Sequence, residues 1–163
     1  CLVGFNLKKD IRVIASGKIM TGFHMIKNMA LGADLCNSAR GMMLALGCIQ
    51  SLECNKNSCP TGIATPNPAL IKGLDVTDKK QRVANYHSQT MKSVAELFSA
   101  TGIHEAGQLR RCHIHRRISE TETAGYDQIF PPLEPGCLLK PPYPASFARE
   151  MDQASGGSFN SQT

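Results

Sequence analysis

Residues 12–68 read RVIASGKIMTGFHMIKNMALGADLCNSARGMMLALGCIQSLECNKNSCPTGIATPNP, and this segment carries the clearest structural signals in the chain. It opens with a short, mostly apolar run at residues 12–16, which predicts a buried parallel strand that ends at Gly17. Apolar side chains then recur at helical spacing over residues 21–31, which predicts an amphipathic helix directly after the strand.

The same order of elements repeats once along the chain. Gly32 is placed to end the first helix, because glycine accepts the left-handed conformation that a helix C-terminus often needs. Residues 33–37 predict a second short strand, and residues 41–46 predict the helix that follows it. A strand–helix–strand–helix order predicts an α/β fold with a parallel sheet.

Each predicted strand ends in a turn of small and basic residues. The first turn is Ser16-Gly17-Lys18-Ile19, and the second is Asn37-Ser38-Ala39-Arg40-Gly41. Small residues let backbone N–H groups approach an anion, and the N-terminus of a following helix adds a favourable dipole. Because the loops after the last two strands of a (β/α)8 barrel often hold a phosphate, the two turns predict a phosphate site that includes Lys18 and Arg40. Ordinary turns with two solvated cations are the alternative.

Three cysteines follow the second helix, with Cys48, Cys54 and Cys59 in the spacing C-x5-C-x4-C. Three thiolates this close in sequence can converge on one soft metal centre, and we interpret them as ligands of an iron–sulfur cluster. Two alternatives stay open. The cysteines can be ordinary buried side chains, or they can bind zinc with a fourth ligand such as His87, although the paired C-x2-C spacing of many zinc sites is absent.

The longest predicted helix lies downstream of the cysteines, from Asp78 to about Ala100, and Gly102 ends it. A second, shorter helix is predicted over residues 104–109. Beyond about residue 118 the chain is rich in proline, and residues 153–158 have the composition of a flexible segment.

The charge balance is mildly basic, with 18 Lys and Arg against 13 Asp and Glu. The basic segment 110–117 can bind nucleic acid, but a solvated surface is the simpler interpretation. Within it, Cys112, His113 and His115 resemble a metal-binding tract, yet the alternation around Ile114 favours an extended segment with solvated histidines. The clustering of three of the seven cysteines favours metal ligation in a reducing cytoplasm. An apolar run of about 18 residues is missing, so we expect no membrane span.

Residues 11–40, followed by Cys48-x5-Cys54-x4-Cys59-Pro-Thr-Gly-Ile-Ala-Thr, closely resemble the FMN-binding barrel domain of the glutamate synthase family. The resemblance continues through residues 82–102 and more loosely to about residue 120, so it covers about two thirds of the chain. The second turn is most similar to that of the glutamate-synthase-like subgroup, and Pro66 stands where the family commonly carries Gln. Glutaminase chemistry is therefore not implied.

The resemblance implies a flavoprotein oxidoreductase with two cofactors, FMN and a 3Fe-4S cluster. In that family electrons pass through the cluster to FMN, whose reduced form delivers hydride to 2-iminoglutarate, so that glutamate forms from 2-oxoglutarate and an ammonia-derived nitrogen. By position, the cluster ligands would be Cys48, Cys54 and Cys59. The residues implied around the FMN phosphate are Ser16, Gly17, Lys18, Asn37, Ser38, Ala39, Arg40 and Gly41. The resemblance names no catalytic residue in this chain.

The same resemblance implies that residues 1–102 are the C-terminal part of a TIM (β/α)8 barrel, with the cysteine loop at 47–62. We expect residues 103–163 to form a partly irregular C-terminal extension. Because a whole barrel needs about 250 residues, and because the chain opens at Cys1 without a polar entry segment, we expect a piece of a longer enzyme. The implied partners are the remainder of the barrel and an electron donor such as ferredoxin or an NAD(P)H-linked subunit, with neither nucleic acid nor a membrane.

Two rival functions are separated from this one by particular features of the sequence. One rival is another FMN or nucleotide-phosphate barrel, similar to inosine monophosphate dehydrogenase, which shares the phosphate turns but has no need of the cysteine array. The other is a zinc-stabilised basic module that binds nucleic acid through residues 110–117 and carries no flavin.

Overall fold

The computed structural model of the chain describes residues 1–157 and shows a mixed α/β protein. Within that range the strands are β1 (Ile14–Ala15), β2 (Leu35–Cys36), β3 (His115–Arg117) and β4 (Thr123–Gly125). The helices are α1 (Gly22–Ala30), α2 (Ala39–Ala45), α3 (Pro68–Ile71), α4 (Val76–Thr101), α5 (Tyr126–Ile129) and α6 (Ala145–Gln153). Short 3-10 turns lie at Cys54–Lys56, Ala106–Gln108 and Arg111–His113.

The chain forms two compact units, which we describe separately. Val13–Tyr126 makes one unit, and Cys1–Arg12 with the described residues from Asp127 onward makes the other. In the second unit Gly4 lies against the buried side chain of Leu138, and a Cβ at position 4 would come within 2.6 Å of Leu138 Cγ. The Leu138 N–H also donates to the Gly4 carbonyl at 2.9 Å, so glycine at position 4 permits a close backbone pairing.

The predicted parallel pairing is confirmed for β1 and β2. Ile14 is in register with Leu35, and Ala15 with Cys36. Both strands are shorter than the sequence predicts, and a side chain extends their pairing. The Asp34 carboxylate accepts from the Val13 N–H at 2.7 Å, while the Asp34 N–H donates to the Val13 carbonyl at 2.8 Å. A polar residue at the start of β2 therefore strengthens this sheet.

The helix limits follow from their caps. Thr21 caps α1 by accepting from the His24 N–H, and Gly32, with φ +111°, follows its C-terminus as predicted. The long α4 begins two residues earlier than predicted, because the Asp75 carboxylate accepts from two N–H groups of its first turn at 2.9 and 3.2 Å. Gly102 ends α4 with φ +70°, as predicted.

The core of the larger unit lies between α1, α4 and the segment after α4. Its buried members are Ile26, Ala30, Val94, Ile103, Leu109 and Ile114. Close approach of α1 to α4 requires glycine at position 22, because a Cβ there would lie 2.8 Å from Ser93 Oγ and 3.0 Å from the Val94 nitrogen. The long helix therefore supports the βαβ unit from outside the sheet.

The segment after α4 differs from the sequence prediction. Instead of an α-helix over residues 104–109, the structure has a 3-10 turn, Ala106–Gln108. Leu109 follows this turn and is buried in the core. The extended segment predicted around Ile114 overlaps β3, but its pairing with β4 was not predicted, and neither was α6, which follows a proline-rich stretch. The flexible segment predicted at residues 153–158 starts at the last residue of α6, and Ser158 lies outside the described residues.

The coarse fold prediction is confirmed as a mixed α/β arrangement compatible with part of a barrel. The boundary expected between residues 102 and 103 stays a prediction, and residues 158–163 of the expected extension lie outside the described residues. Over residues 1–157, no helix has both the length and the apolar character that crossing a membrane requires.

Candidate functional site

A cavity of about 570 Å³ lies where both parallel strands end, and the first part of the cysteine loop borders it. Its walls bring together most of the residues expected at a phosphate or a metal. The residues that line it are Ser16, Gly17, Lys18, Ile19, Asn37, Ala39, Arg40, Met43, Leu44, Cys48, Gln50, Leu52 and Cys54. Thus the two turns and two of the three loop cysteines share one space.

The first turn presents backbone and charge to this cavity. Gly17 has φ +95° and Lys18 has φ +55°, so the chain reverses sharply after β1. A Cβ at Gly17 would meet no atom within 4 Å, so the space beside this backbone is open. A close-approach glycine next to Lys18 forms a cradle that suits an anion, because backbone and ammonium can both reach it.

The second turn divides its residues between the cavity and the protein interior. Asn37, Ala39 and Arg40 line the cavity. Ser38 does not, because its hydroxyl donates to the Ile19 carbonyl at 2.6 Å. Gly41 is buried behind the turn, where a Cβ would overlap the Tyr86 hydroxyl. The predicted roles of Ser38 and Gly41 at a phosphate therefore stay predictions.

The cysteine loop has an unusual backbone. Gln50, Leu52 and Asn57 have φ values of +56°, +60° and +59°, in the left-handed region that non-glycine residues seldom adopt. Cys48 is anchored at the start of this loop, since its N–H donates to the Met43 carbonyl at 3.0 Å. Its sulfur accepts from the Gln50 N–H at 3.4 Å, so the thiol is tied to the backbone two residues further on.

Cys54 and Cys59 have opposite environments. Cys54 begins an exposed 3-10 turn on the cavity wall. Cys59 is only 5% exposed, and its sulfur lies 3.3 Å from the Thr61 hydroxyl. Hydrogen bonds from that hydroxyl, then from the backbone of Ala64, lower the pKa of Cys59 to about 7 against the opposing effect of burial. A large share of this thiol is therefore ionised at neutral pH, which is the form that binds metals.

The donor set fits a thiolate-bound cluster by its chemistry. All three sulfurs are free; the Cys48 sulfur accepts from a backbone N–H, and hydrogen bonds lower the pKa of Cys59. Their arrangement is incomplete: Cys59 is absent from the cavity lining, and residues 1–157 contain no group of three or more His, Cys, Asp or Glu side chains gathered for a metal. The structure thus brings together Cys48 and Cys54 but not the full ligand set.

The zinc ligand considered from the sequence lies elsewhere. His87 borders a separate cavity of about 310 Å³, together with Cys36 and three methionines, and none of the loop cysteines lines that cavity. In the basic segment, His113 Nδ1 accepts from the Arg110 N–H at 2.9 Å, and His115 is exposed at the start of β3. The structure therefore gathers no zinc site from these histidines in the part of the chain that it describes.

Tyr86 is the residue at this site that the sequence reasoning missed. Its side chain lies on α4 and reaches behind both turns, where its hydroxyl donates to the Met20 carbonyl at 2.9 Å. The same hydroxyl lies 3.0 Å from Ser38 Oγ. One feature of the sequence could have indicated this role: Tyr86 is a tyrosine on the mostly apolar face of a long helix, and a phenol packed against the protein needs a polar partner.

Together these observations describe an α/β protein whose parallel strands end at a cavity of about 570 Å³ that is bordered by two cysteines. Comparison with known sequences narrows this description. The profile described as a conserved region in glutamate synthase matches residues 1–104, which is more than half of the chain. The chain belongs to the glutamate synthase family.

Individual relatives agree with this assignment. A glutamate synthase large subunit-like protein, YerD, of Bacillus subtilis is 36% identical over 125 residues, which are 77% of this chain and 24% of the relative. An archaeal glutamate synthase [NADPH] of Methanocaldococcus jannaschii is 38% identical over 105 residues, 64% of this chain and 21% of the relative. A glutamate synthase [NADH] of Saccharomyces cerevisiae is 25% identical over 156 residues, 93% of this chain and 7% of the relative.

The chain spans about a quarter or less of the length of these relatives. Family membership supports a glutamate-synthase-like function. It favours that class over the nucleotide-phosphate barrel and the zinc-stabilised nucleic-acid module.

Proposed function

We propose that this chain is the C-terminal part of an FMN-binding (β/α)8 barrel. The support comes from the two faces of the β1–β2 sheet. Cys36 packs on the helix side, where its sulfur lies 3.8 Å from the Met25 carbonyl of α1. Successive strand residues point to opposite faces, so Ile14 and Leu35 point away from α1.

Ile14 and Leu35 are partners across the sheet, and they are 61% and 58% exposed. Two paired, exposed aliphatic side chains opposite the helix layer are what the interior of a barrel would bury once further strands closed it. The remainder of the barrel is therefore the first partner that we assign to this chain. The expected boundary at residue 102 belongs to the same proposal.

The single observation that carries the function is the shared cavity at the strand ends. We assign its strand-end side to the FMN phosphate, since Lys18 and Arg40 offer two cations and Gly17 offers an open backbone approach. Ser16, Asn37 and Ala39 complete that side with small or polar surfaces. The predicted Ser38 and Gly41 would then act from behind the turn.

The cysteine side of the cavity is assigned to a 3Fe-4S cluster. Cys48, Cys54 and Cys59 would hold it, and the lowered pKa of Cys59 favours the thiolate form that binds iron. Bound FMN would supply hydride transfer, and the cluster would supply single-electron transfer. The contribution of this chain would be to hold both groups at one cavity, separate from its buried core.

The proposed activity is that of a glutamate-synthase-like oxidoreductase that forms glutamate reductively from 2-oxoglutarate and an ammonia-derived nitrogen. An electron donor such as ferredoxin or an NAD(P)H-linked subunit would complete the system. The unpaired state of all seven cysteines is in keeping with a reducing cytoplasmic location.

The test is to measure iron, acid-labile sulfide and flavin in protein produced anaerobically, together with any sequence that adjoins this chain in its gene. We expect bound FMN, with iron and sulfide in the ratio of a 3Fe-4S cluster. Cys54→Ser should lose the iron, whereas Cys112→Ser, which changes an exposed cysteine outside the cavity, should keep it. Zinc in place of iron, or a folded protein without metal, would refute the cluster assignment.

A further inference from the structure

Two hydroxyl groups join the backs of the two strand-end turns. Ser38 Oγ donates to the Ile19 carbonyl at 2.6 Å, and the Tyr86 hydroxyl donates to the Met20 carbonyl at 2.9 Å. The two oxygens lie 3.0 Å apart. Four residues therefore meet here: Ile19 of the first turn with its neighbour Met20, Ser38 of the second turn, and Tyr86 of α4.

Each of the two hydroxyls makes two short oxygen–oxygen contacts, one to a main-chain carbonyl and one to the other hydroxyl. Each carries one proton, so two protons serve three oxygen–oxygen contacts of 2.6 to 3.0 Å. Removing either hydroxyl would leave one main-chain carbonyl, at Ile19 or Met20, without its donor, and it would remove the 3.0 Å contact of the other hydroxyl, which would keep its own carbonyl partner. Loss of one member should thus disturb both turns, which a single isolated hydrogen bond would not do.

The surrounding packing has room for the tyrosine only because of a glycine. At Gly41 a Cβ would overlap the Tyr86 hydroxyl, and it would lie 2.6 Å from Ser38 Oγ and 2.8 Å from Tyr86 Cζ. The Tyr86 ring therefore sits directly on the backbone of the second turn. This contact fixes the turn against a 26-residue helix that is itself packed on α1.

The opposite side of these same residues forms the cavity. Lys18 and Ile19 line it from the first turn, while Asn37 and Arg40 line it on both sides of Ser38. The hydroxyl pair thus lies behind the backbone that the cavity exposes. Its position sets the distance between the cations of the two turns without itself facing the cavity.

We propose that Tyr86 is a positioning residue for phosphate binding, acting with Ser38 to hold the two turns at the spacing that a phosphate group requires. This inference rests on the proposed function, because it assigns the cavity to the phosphate of FMN. Tyr86 itself would make no contact with the ligand. Its effect is to pre-organise the two turns that do.

The experiment compares FMN with riboflavin, which has the same ring and lacks the phosphate. Dissociation constants for both are measured by flavin fluorescence on the intact protein, in the wild type and in Tyr86→Phe. Ser38→Ala is the second variant, because it removes the other hydroxyl and leaves the tyrosine in place. Tyr143→Phe is the control, since it removes a phenol from the other compact unit, outside the cavity lining.

We expect Tyr86→Phe to weaken FMN binding about tenfold, the effect of about 1.4 kcal/mol from a disrupted hydrogen-bond network. Riboflavin binding should change less than about twofold by the same reasoning. Ser38→Ala should give a similar FMN-selective loss, and the double variant should lose little more than either single one, because the two hydroxyls act as a unit.

Each other outcome overturns the inference in a distinguishable way. Equal loss of FMN and riboflavin would show that Tyr86 only supports the fold, and unchanged FMN binding would show that the turns keep their spacing without it. A wild-type protein that binds FMN no tighter than riboflavin would instead refute the phosphate site, and with it the proposed function on which this role depends.

Discussion

Replacement of Gly41 by alanine gives a test of the packing behind the site in which two simple arguments predict opposite signs. Gly41 lies inside α2, and intrinsic helix propensity alone predicts that Gly→Ala stabilises a helix by about 1 kcal/mol. The structure predicts the reverse, because the added methyl group would overlap the Tyr86 hydroxyl and crowd Ser38 Oγ at 2.6 Å.

The expected magnitude follows from what must move. Displacing the tyrosine disturbs its contacts with the Met20 carbonyl and Ser38 Oγ, each worth about 1 kcal/mol net. Forcing a methyl group into a packed site adds about 1–3 kcal/mol. After subtraction of the propensity gain, Gly41→Ala should lower the free energy of unfolding by about 3 kcal/mol.

Urea unfolding followed by far-ultraviolet circular dichroism measures this difference. With an m-value of about 2 kcal/mol per M, the unfolding midpoint should fall by about 1.5 M. The matched control is Gly107→Ala, because Gly107 lies in a 3-10 turn where a Cβ would meet no atom within 4 Å. That control should change the free energy of unfolding by less than about 0.5 kcal/mol.

A double-mutant cycle identifies the tyrosine as the cause. In a Tyr86→Phe background the methyl group at position 41 has no hydroxyl to displace, so its cost should fall by about 1–2 kcal/mol. If Gly41→Ala stabilises the protein, or if its cost is the same with and without the hydroxyl, the close contact between α2 and Tyr86 is refuted.

Three further predictions address the core, a helix cap and the cavity. Ile26→Ala should lower the free energy of unfolding by about 2–5 kcal/mol, because Ile26 is buried between α1 and α4. The control is Ile14→Ala, at an exposed side chain, which should lower it by less than about 1 kcal/mol in this chain. Urea unfolding midpoints measure both differences. Asp75→Ala should cost about 0.5–2 kcal/mol through loss of the α4 cap, measured in the same way, and no change would show that the cap is dispensable. Lys18→Gln should weaken FMN binding about tenfold and leave riboflavin binding unchanged, and equal effects on both flavins would remove Lys18 from the phosphate site.

The βαβ unit was predictable from the sequence because local signals agree with its tertiary packing. Gly32 and Gly102 end helices at the places where their positive φ values require glycine. The segment after α4 was not predictable in the same way. Leu109 is buried in the core with side chains of α1 and α4 that are distant in sequence, and a short 3-10 turn replaces the helix predicted over residues 104–109.

The site was predictable where residue chemistry and chain order suffice. Most of the basic and small residues of the two turns, and two of the cysteines, line one cavity, because parallel strands end on the same edge of a sheet. The sequence could not predict which residues of the second turn face the cavity and which face the interior. Whether Ser38 faces the cavity or the interior depends on Tyr86, which lies 48 residues away in sequence.

The conformation of the cysteine loop is the strongest sign that the cavity is built for an occupant. Leu52 combines a φ of +60° with 83% exposure, so neither backbone preference nor burial favours its placement. Gln50 is a second left-handed residue in the same loop, and each of these two costs of order 1–3 kcal/mol, whereas Asn57, at the end of the 3-10 turn, is a residue type that adopts this conformation readily. Strain of that kind persists where other interactions over-determine the backbone. The interactions that hold this loop in place are the hydrogen bonds at Cys48 and Cys59, near its two ends. The exposed middle of the loop, which includes Cys54, lies on the wall of the cavity. Under the proposed function, a cluster bound to all three sulfurs would add bonds to a loop whose backbone is strained, and this would offset part of that strain.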